Sequence, residues 1–295
     1  MRAIVTGSSG FVGTALRAAL GPGCVALRFG ARDWAHGLEQ APLEGAVVFH
    51  LAARVHDPRD RDEAAFRHDN AEKTRQLALA AARRGARRIV FLSTLKVHGE
   101  ETRGRPFGPD DAPAPEDAYA RSKLEGEQAM REAVAGATSW VIVRSPLVLG
   151  AAAPANLAQL TRIADTAVPL PFAAIANRRS FIHREDLARL LLTCGSHPAA
   201  SGRVFMAGHP EPMSTPALVG ALRRALGRPP RMWAVAPRTL ELAATALGSG
   251  ARMRRLTRSL EADVSATQRQ LGWSARKGLE ESATEMAGAW RGARP

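Results

Sequence analysis

The run YARSK sets Tyr119 and Lys123 four residues apart. Behind Asp117, a helix-capping residue type, that spacing puts both side chains on one face of a predicted helix over 118–133. A free phenol has a pKa of about 10 and exchanges protons poorly at neutral pH, but a nearby ammonium favours its ionised form. Moving the pKa by about two to three units corresponds to roughly 3–4 kcal/mol of differential stabilisation. Tyr119 is the one tyrosine of the chain, and Lys123 is one of four lysines. A solvated helix face can carry the same pair, so the spacing alone leaves both readings open. A second candidate is the run RRIVFLSTLKVHGE, an apolar strand ending in Ser93 and Thr94. Hydroxyls at the carboxyl end of a strand face the crevice where open α/β sheets bind ligands, although a strand-end threonine is also a common turn former.

The third piece is TGSSGFVG at Thr6–Gly13. Gly7, Gly10 and Gly13 follow a GxxGxxG spacing between a first strand and a first helix. Such a turn needs glycine dihedrals and lets the backbone approach a pyrophosphate, while the helix start offers amide donors and partial positive charge. The same turn can also occur with no ligand. At the end of the second strand the sequence reads LRFGARD. Arg28 and Arg32 stand where an acid would bind the ribose of NAD(H); as partners of a 2′-phosphate they point to NADP(H), and as solvated arginines they leave NAD(H) open.

These groups need a scaffold, and the chain supplies one by alternation. Apolar runs at Ala3–Thr6, Cys24–Phe29, Ala46–Leu51, Arg88–Ser93 and Trp140–Arg144 alternate with helical patterns at Phe11–Leu20, Glu63–Arg83 and Ala118–Ala133. That order predicts an α/β fold, a doubly wound parallel sheet. Asp33-Trp34 is read as the remnant of a further strand. After Gly150 the alternation weakens, leaving one strand at Arg203–Met206 and a helix opened by Ser214-Thr215-Pro216 and closed at Gly227. The expected organisation is a dinucleotide-binding domain over 1–150 and a smaller C-terminal lobe over 151–295, with strands of the second free to return to the first.

Composition narrows the class. The 45% apolar content excludes a disordered chain, and the two cysteines, Cys24 and Cys194, lack the spacing of a zinc site or disulfide framework. MRAIVTG has no apolar leader segment, and the apolar stretch from Met232 to Gly250 is broken by Arg238 and Glu241. A soluble, cytoplasmic protein with no bound metal is expected. The net charge of +13 suggests an anionic partner, and it is uneven: residues 1–150 carry 21 basic and 18 acidic side chains, against 20 and 10 over residues 151–295. Nucleic acid is not expected, because such a surface would interleave aromatic with basic residues.

Taken in order, TGSSGFVG, HLAARV (His50–Val55), Asn70 with Thr74, FLSTLKVHG, YARSK, VIVRSPLVLG (Val141–Gly150) and NRRSFIHREDLA (Asn177–Ala188) cover nearly the whole chain. In that order they resemble the extended short-chain dehydrogenase/reductase family, the nucleotide-sugar epimerases, dehydratases and reductases with a Rossmann domain. The resemblance implies a catalytic triad of Thr94, Tyr119 and Lys123, with Ser93 beside the substrate. It implies a cofactor site of Gly7, Gly10, Phe11, Val12, Gly13, Arg28, Asp33, His50, Ala52, Ala53, Tyr119, Lys123, Pro146 and Val148. Asn156, Leu157 and Arg179 match positions that contact a nucleoside diphosphate, which suits the basic second half. It also implies a homodimer. Members often have tyrosine or asparagine where this chain has His98, and VYG where it has LVLG.

Dehydratases of this family carry an Asp-Glu pair after the catalytic threonine; Leu95 and Lys96 stand there. Dehydration is therefore not expected; SxxKV in that place, Arg28 and the NRRSF stretch resemble 4-ketoreductases and 4-epimerase-like enzymes of surface-polysaccharide biosynthesis, and reduction of a 4-keto sugar is the expected reaction. A UDP-sugar 4-epimerase is the alternative, followed by a reductase of small apolar ketones or a non-catalytic dinucleotide sensor. The arginines from Arg223 to Arg258 fit none of these roles; a solvated face is preferred for them over contact with an anionic membrane.

Overall fold

The computed structural model describes residues 2–30, 33–55, 62–153 and 155–293, with residue 155 described by its backbone alone. Short apolar runs become β1 (Ala3–Thr6), β2 (Cys24–Leu27), β3 (Val47–His50), β4 (Arg88–Thr94) and β5 (Ser139–Ser145). A short pair follows, β6 (Leu147–Leu149) with β7 (Phe181–His183), and then β8 (Arg203–Met206). The main sheet runs β2-β1-β3-β4-β5-β8 with every pair parallel. Parallel strands need crossovers, and these place helices on both faces. On one face Ile4, Val48, Ile89 and Ile142 pack under α2 (Trp34–Gln40), α4 (Lys73–Arg83) and α5 (Ala118–Val134). On the other, Val5, Phe49, Val90 and Val141 pack under α1 (Phe11–Leu20) and α7 (Arg184–Ser196). This is the doubly wound, Rossmann-like α/β sheet expected from the alternation.

Two local readings are corrected. Asp33-Trp34 forms no strand: Asp33 precedes α2, whose Trp34 and Leu38 are spaced one turn apart and buried, with Trp34 edge-on to Phe29 at 4.7 Å. The long helix over 63–83 is also not uniform. It consists of α3 (Glu63–Arg67), a π-helical turn at His68–Glu72, and α4. The extra residue in that turn re-aims Asn70.

Elements beyond residue 150 serve both regions. β8 extends the main sheet, while α6 (Ala155–Ala164), α8 (Thr215–Ala225) and α12 (Leu279–Gly292) surround a third core containing Leu149, Leu218, Leu222 and Met286. Ser214 caps α8 by accepting from the amide of Ala217, and Gly227 (φ +70°) follows its end. Three more helices, α9 (Pro237–Ala246), α10 (Gly250–Thr257) and α11 (Ser265–Leu271), complete the second half. Among the described residues no helix is long and apolar enough to cross a membrane.

Candidate active site

The glycine turn leaves β1 and enters α1 with almost no spare volume. Gly7 has φ +68°, and a Cβ on it would meet the Ala52 amide nitrogen at 2.7 Å. A Cβ on Gly13 would lie 2.0 Å from the Gly7 carbonyl oxygen. The turn closes with the Gly10 amide donating to that oxygen at 3.0 Å. Gly10 caps α1 without a side chain, and the first turn of α1 carries no acid. The amides of Phe11 and Val12 thus begin a ten-residue helix with its partial positive charge unopposed. A dinucleotide pyrophosphate fits such a cradle. Asp33 and Arg28 are both exposed, Arg28 directly after β2. Arg32 lies outside the described residues.

His50 takes a different position from a cofactor-facing one. Its ring is fully buried between Phe29 and Phe91. Thr74 Oγ1 donates to the Asn70 carbonyl at 2.7 Å, so His50 Nε2 donates to Thr74 at 2.8 Å and Nδ1 accepts from Thr6 Oγ1 at 2.6 Å. Thr6 Oγ1 in turn accepts from the Ala52 amide at 3.2 Å. The histidine therefore fixes the loop that presses on Gly7, and burial together with Lys123 holds its pKa well below the usual value. Ala52 is buried and Ala53 half-buried in that loop. Asn70 ties the loop to α5: its side chain bonds the Arg54 backbone at 2.7 and 3.0 Å and Ser122 Oγ at 2.9 Å. Gly126 makes this approach possible, since a Cβ there would lie 2.4 Å from the Asn70 carbonyl.

Asp117 caps α5 by accepting from Ala120 N at 2.7 Å, and the helix carries Tyr119 and Lys123 on the predicted spacing. Lys123 is buried with Nζ 3.9 Å from the centroid of the Phe91 ring; Tyr119 is half-buried. The expected depression of the phenol is not found. Burial and then the Asp117 carboxylate push Tyr119 up to about 12, while burial pulls Lys123 down to about 7 against the opposing pull of Glu127. A desolvated ammonium is itself weakly charged near neutrality, so it lends the phenol little support. Ser93 and Thr94 are buried at the end of β4; Ser93 Oγ has no partner among the described residues, and Thr94 Oγ1 accepts from Lys96 N at 3.3 Å. Pro146 and Val148 follow the end of neighbouring β5, both half-buried.

Lys96 reaches over the start of α5, pairing with Asp117 and, at 2.6 Å, with Glu100. Arg255 approaches the same two carboxylates at 3.8 and 3.5 Å. Arg179 is buried beside this cluster, with Nη1 donating to the Arg258 carbonyl at 3.0 Å. Burial lowers its pKa to about 10, which leaves it charged at pH 7. Asn156 is exposed on α6, whereas the Leu157 side chain lies in the third core, 5% exposed, away from solvent.

The sequence reading missed one buried network. Arg144 on β5 donates to Glu127 on α5 at 3.1 and 2.7 Å and to His98 Nε2 at 2.9 Å. His98 stacks on Phe107 at 5.1 Å. The three residues span 46 positions of sequence, so nothing local announces them. Burial and the Arg144 charge lower His98 to about 4. Unfolded, it takes a proton near pH 6.5; folded, only near 4, so the unfolded state binds more protons between those values and stability falls as pH falls through that window. We expect urea unfolding to show up to about 2–3 kcal/mol less stability at pH 4.5 than at pH 7, beyond the loss in a His98→Asn variant. Equal losses in both proteins would remove His98 from this role.

The NAD dependent epimerase/dehydratase family profile matches residues 32–208. The chain is 35% identical to a UDP-glucose 4-epimerase of Vibrio cholerae over 85% of this chain and 79% of that one. It is 36% identical to a dTDP-4-dehydrorhamnose reductase of Mycobacterium tuberculosis, over 48% of this chain and 50% of the reductase. Among solved structures, MoeE5 in complex with UDP-glucuronic acid and NAD superposes over all of both chains with a TM-score of 0.76 at 23% identity, a likeness of fold.

Proposed function

The chain belongs to the NAD dependent epimerase/dehydratase family, and from that premise we propose that it reduces the 4-keto group of a UDP-linked sugar.

 The reading is supported by one arrangement: Thr94 ends β4, α5 with Tyr119 and Lys123 packs against that strand, and the glycine turn suited to a dinucleotide leaves the same carboxyl end of the parallel sheet. When bound, the cofactor supplies the hydride for C4. Tyr119 gives its proton to the C4 oxygen and is recharged from solvent, and Thr94 holds that oxygen by a hydrogen bond. A phenol pushed up to about 12 is protonated at neutral pH, the form a reduction consumes. Arg28, exposed at the end of β2, favours NADPH over NADH as the partner to be released after each turnover. Leu95 and Lys96 offer no acid and base for elimination, and Lys96 is held by Asp117 and Glu100.

A second reading has its own support. A relative matched over most of both chains is a UDP-glucose 4-epimerase; such an activity here would oxidise C4 and then reduce it from the other face without releasing cofactor. Anaerobic incubation with UDP-4-keto sugars and UDP-sugars separates the two. Consumption of one NADPH per keto sugar supports the reductase, and interconversion at C4 without net cofactor oxidation supports the epimerase. No reaction with either overturns both.

Arg179 is the proposed diphosphate ligand, with Asn156 and the backbone at Leu157 as further proposed contacts. Arg179→Ala is expected to raise KM for the sugar nucleotide by about 10- to 100-fold, the loss of a charge-assisted hydrogen bond, with cofactor affinity unchanged. Steady-state kinetics and a cofactor titration check this, and an equal fall in both affinities would make the arginine structural.

A further inference from the structure

Nine arginines and one acid, Glu241, lie between residues 223 and 258, and the fold accounts for five of the arginines. Arg223 is buried and donates to the carbonyls of Pro229 and Val168. Arg224 pairs with Glu280, Arg228 with Asp165, Arg255 with Glu100, and Arg258 with Glu101 and Glu241. The other four, Arg231, Arg238, Arg252 and Arg254, are exposed, and among the described residues none has a carboxylate within ion-pair distance. Glu241 is engaged elsewhere, its carboxylate accepting from Thr257 at 2.5 Å and from Arg258 at 3.1 Å, and of the four arginines only Arg254 is near enough to act on its charge.

The same segment carries misplaced apolar surface. α9 and α10 pack on each other and turn Leu240, Ala244 and Leu256 inward. Outward, Arg238, Leu242 and Ala246 recur every four residues along α9, and Leu247 follows at its end. Leu242 is 73% and Leu247 83% exposed, the most exposed large apolar side chains among the described residues. Trp233 is also exposed, and its amide bonds the Leu170 carbonyl, two residues from exposed Val168. Single exposed leucines need no explanation. Leucines set among unpaired arginines, with the one local acid turned inward, have the composition of an interfacial helix.

We infer that the α9–α10 hairpin docks on an anionic phospholipid surface, with Leu242 and Leu247 entering the boundary between headgroups and acyl chains and the four unpaired arginines meeting lipid phosphates. Charge selects this occupant. A second copy of the chain brings another +13 and the same uncompensated patch, and a polynucleotide has no use for exposed leucines. The hairpin is also tied to the candidate site, since Arg255 and Arg258 hold Glu100, Glu101 and Asp117.

Co-sedimentation of the full chain with vesicles tests this. Binding is expected to phosphatidylcholine vesicles containing roughly 30% phosphatidylglycerol, and not to phosphatidylcholine alone. Leu242→Glu combined with Leu247→Glu should weaken binding at least about tenfold, and Arg238→Glu with Arg252→Glu should do the same, with melting temperatures unchanged. Arg83→Glu with Arg87→Glu, exposed charges on the other half, should leave binding nearly intact. The inference is overturned by absent binding, by equal binding to neutral vesicles, by leucine variants that bind like the parent, or by a control pair that weakens binding as much. A leucine variant that converts an oligomer to a monomer also overturns it, by making the hairpin a contact between copies.

Discussion

Tyr119→Phe is expected to lower turnover by at least about a thousandfold while leaving dinucleotide affinity within about twofold. The substitution removes one oxygen and little else. Among the described residues no side chain bonds the Tyr119 hydroxyl, so its loss strands no buried partner and the fold should be untouched. No second tyrosine exists to replace the phenol. The glycine turn remains, as does the His50 chain that fixes the loop against it, and that turn is the proposed cradle of the cofactor. Single-turnover rates with a keto sugar and fluorescence titration with NADPH separate the two effects. Unchanged turnover would remove Tyr119 from catalysis, and a parallel fall in affinity would make the ring a binding surface. Lys123→Met should differ by weakening dinucleotide affinity as well as turnover, because the family resemblance puts its ammonium in the cofactor site.

What was legible in the sequence follows the range of the interaction that fixes it. β1 and α1 agree residue for residue with the apolar run and the glycine-opened helix, because strand burial and helix start are both local properties. The Tyr119-Lys123 face is legible for the same reason. The π-helical turn at His68–Glu72 is not, since its periodicity differs from an α-helix by one residue and its payoff, Asn70 meeting Ser122, crosses 52 residues. Nor is the raised Tyr119 pKa: four-residue spacing predicts proximity to Lys123 but not that burial would raise the phenol and lower the lysine. Arg179 reads as a ligand from its motif, yet only the tertiary structure sets it beside Arg258 and the Glu100 cluster. Gly126 had one trace, a glycine inside an otherwise strong helix pattern, and such a glycine commonly marks a close backbone approach.

Glu127→Ala is expected to destabilise the fold by about 3–5 kcal/mol, the range for breaking one side of a buried ion pair. Glu127 and Arg144 are 3% and 6% exposed in their side chains and share two hydrogen bonds, so truncation leaves the guanidinium buried with only His98 and the Pro109 carbonyl. His98, lowered to about 4, is neutral at pH 7 and offers the guanidinium an acceptor but no negative charge. Removing both charges with Glu127→Leu and Arg144→Met should recover most of the loss, because desolvation then costs nothing. Chemical denaturation of the two singles and the double closes the cycle; additive losses would show that the pair does not interact. Glu127→Gln separates stability from function. It keeps the volume of the side chain but removes the charge that raises Lys123. Lys123 should then lose its proton at lower pH, and activity at neutral pH should fall further than activity near pH 6. A variant whose pH profile matches the parent would confine Glu127 to holding β5 against α5.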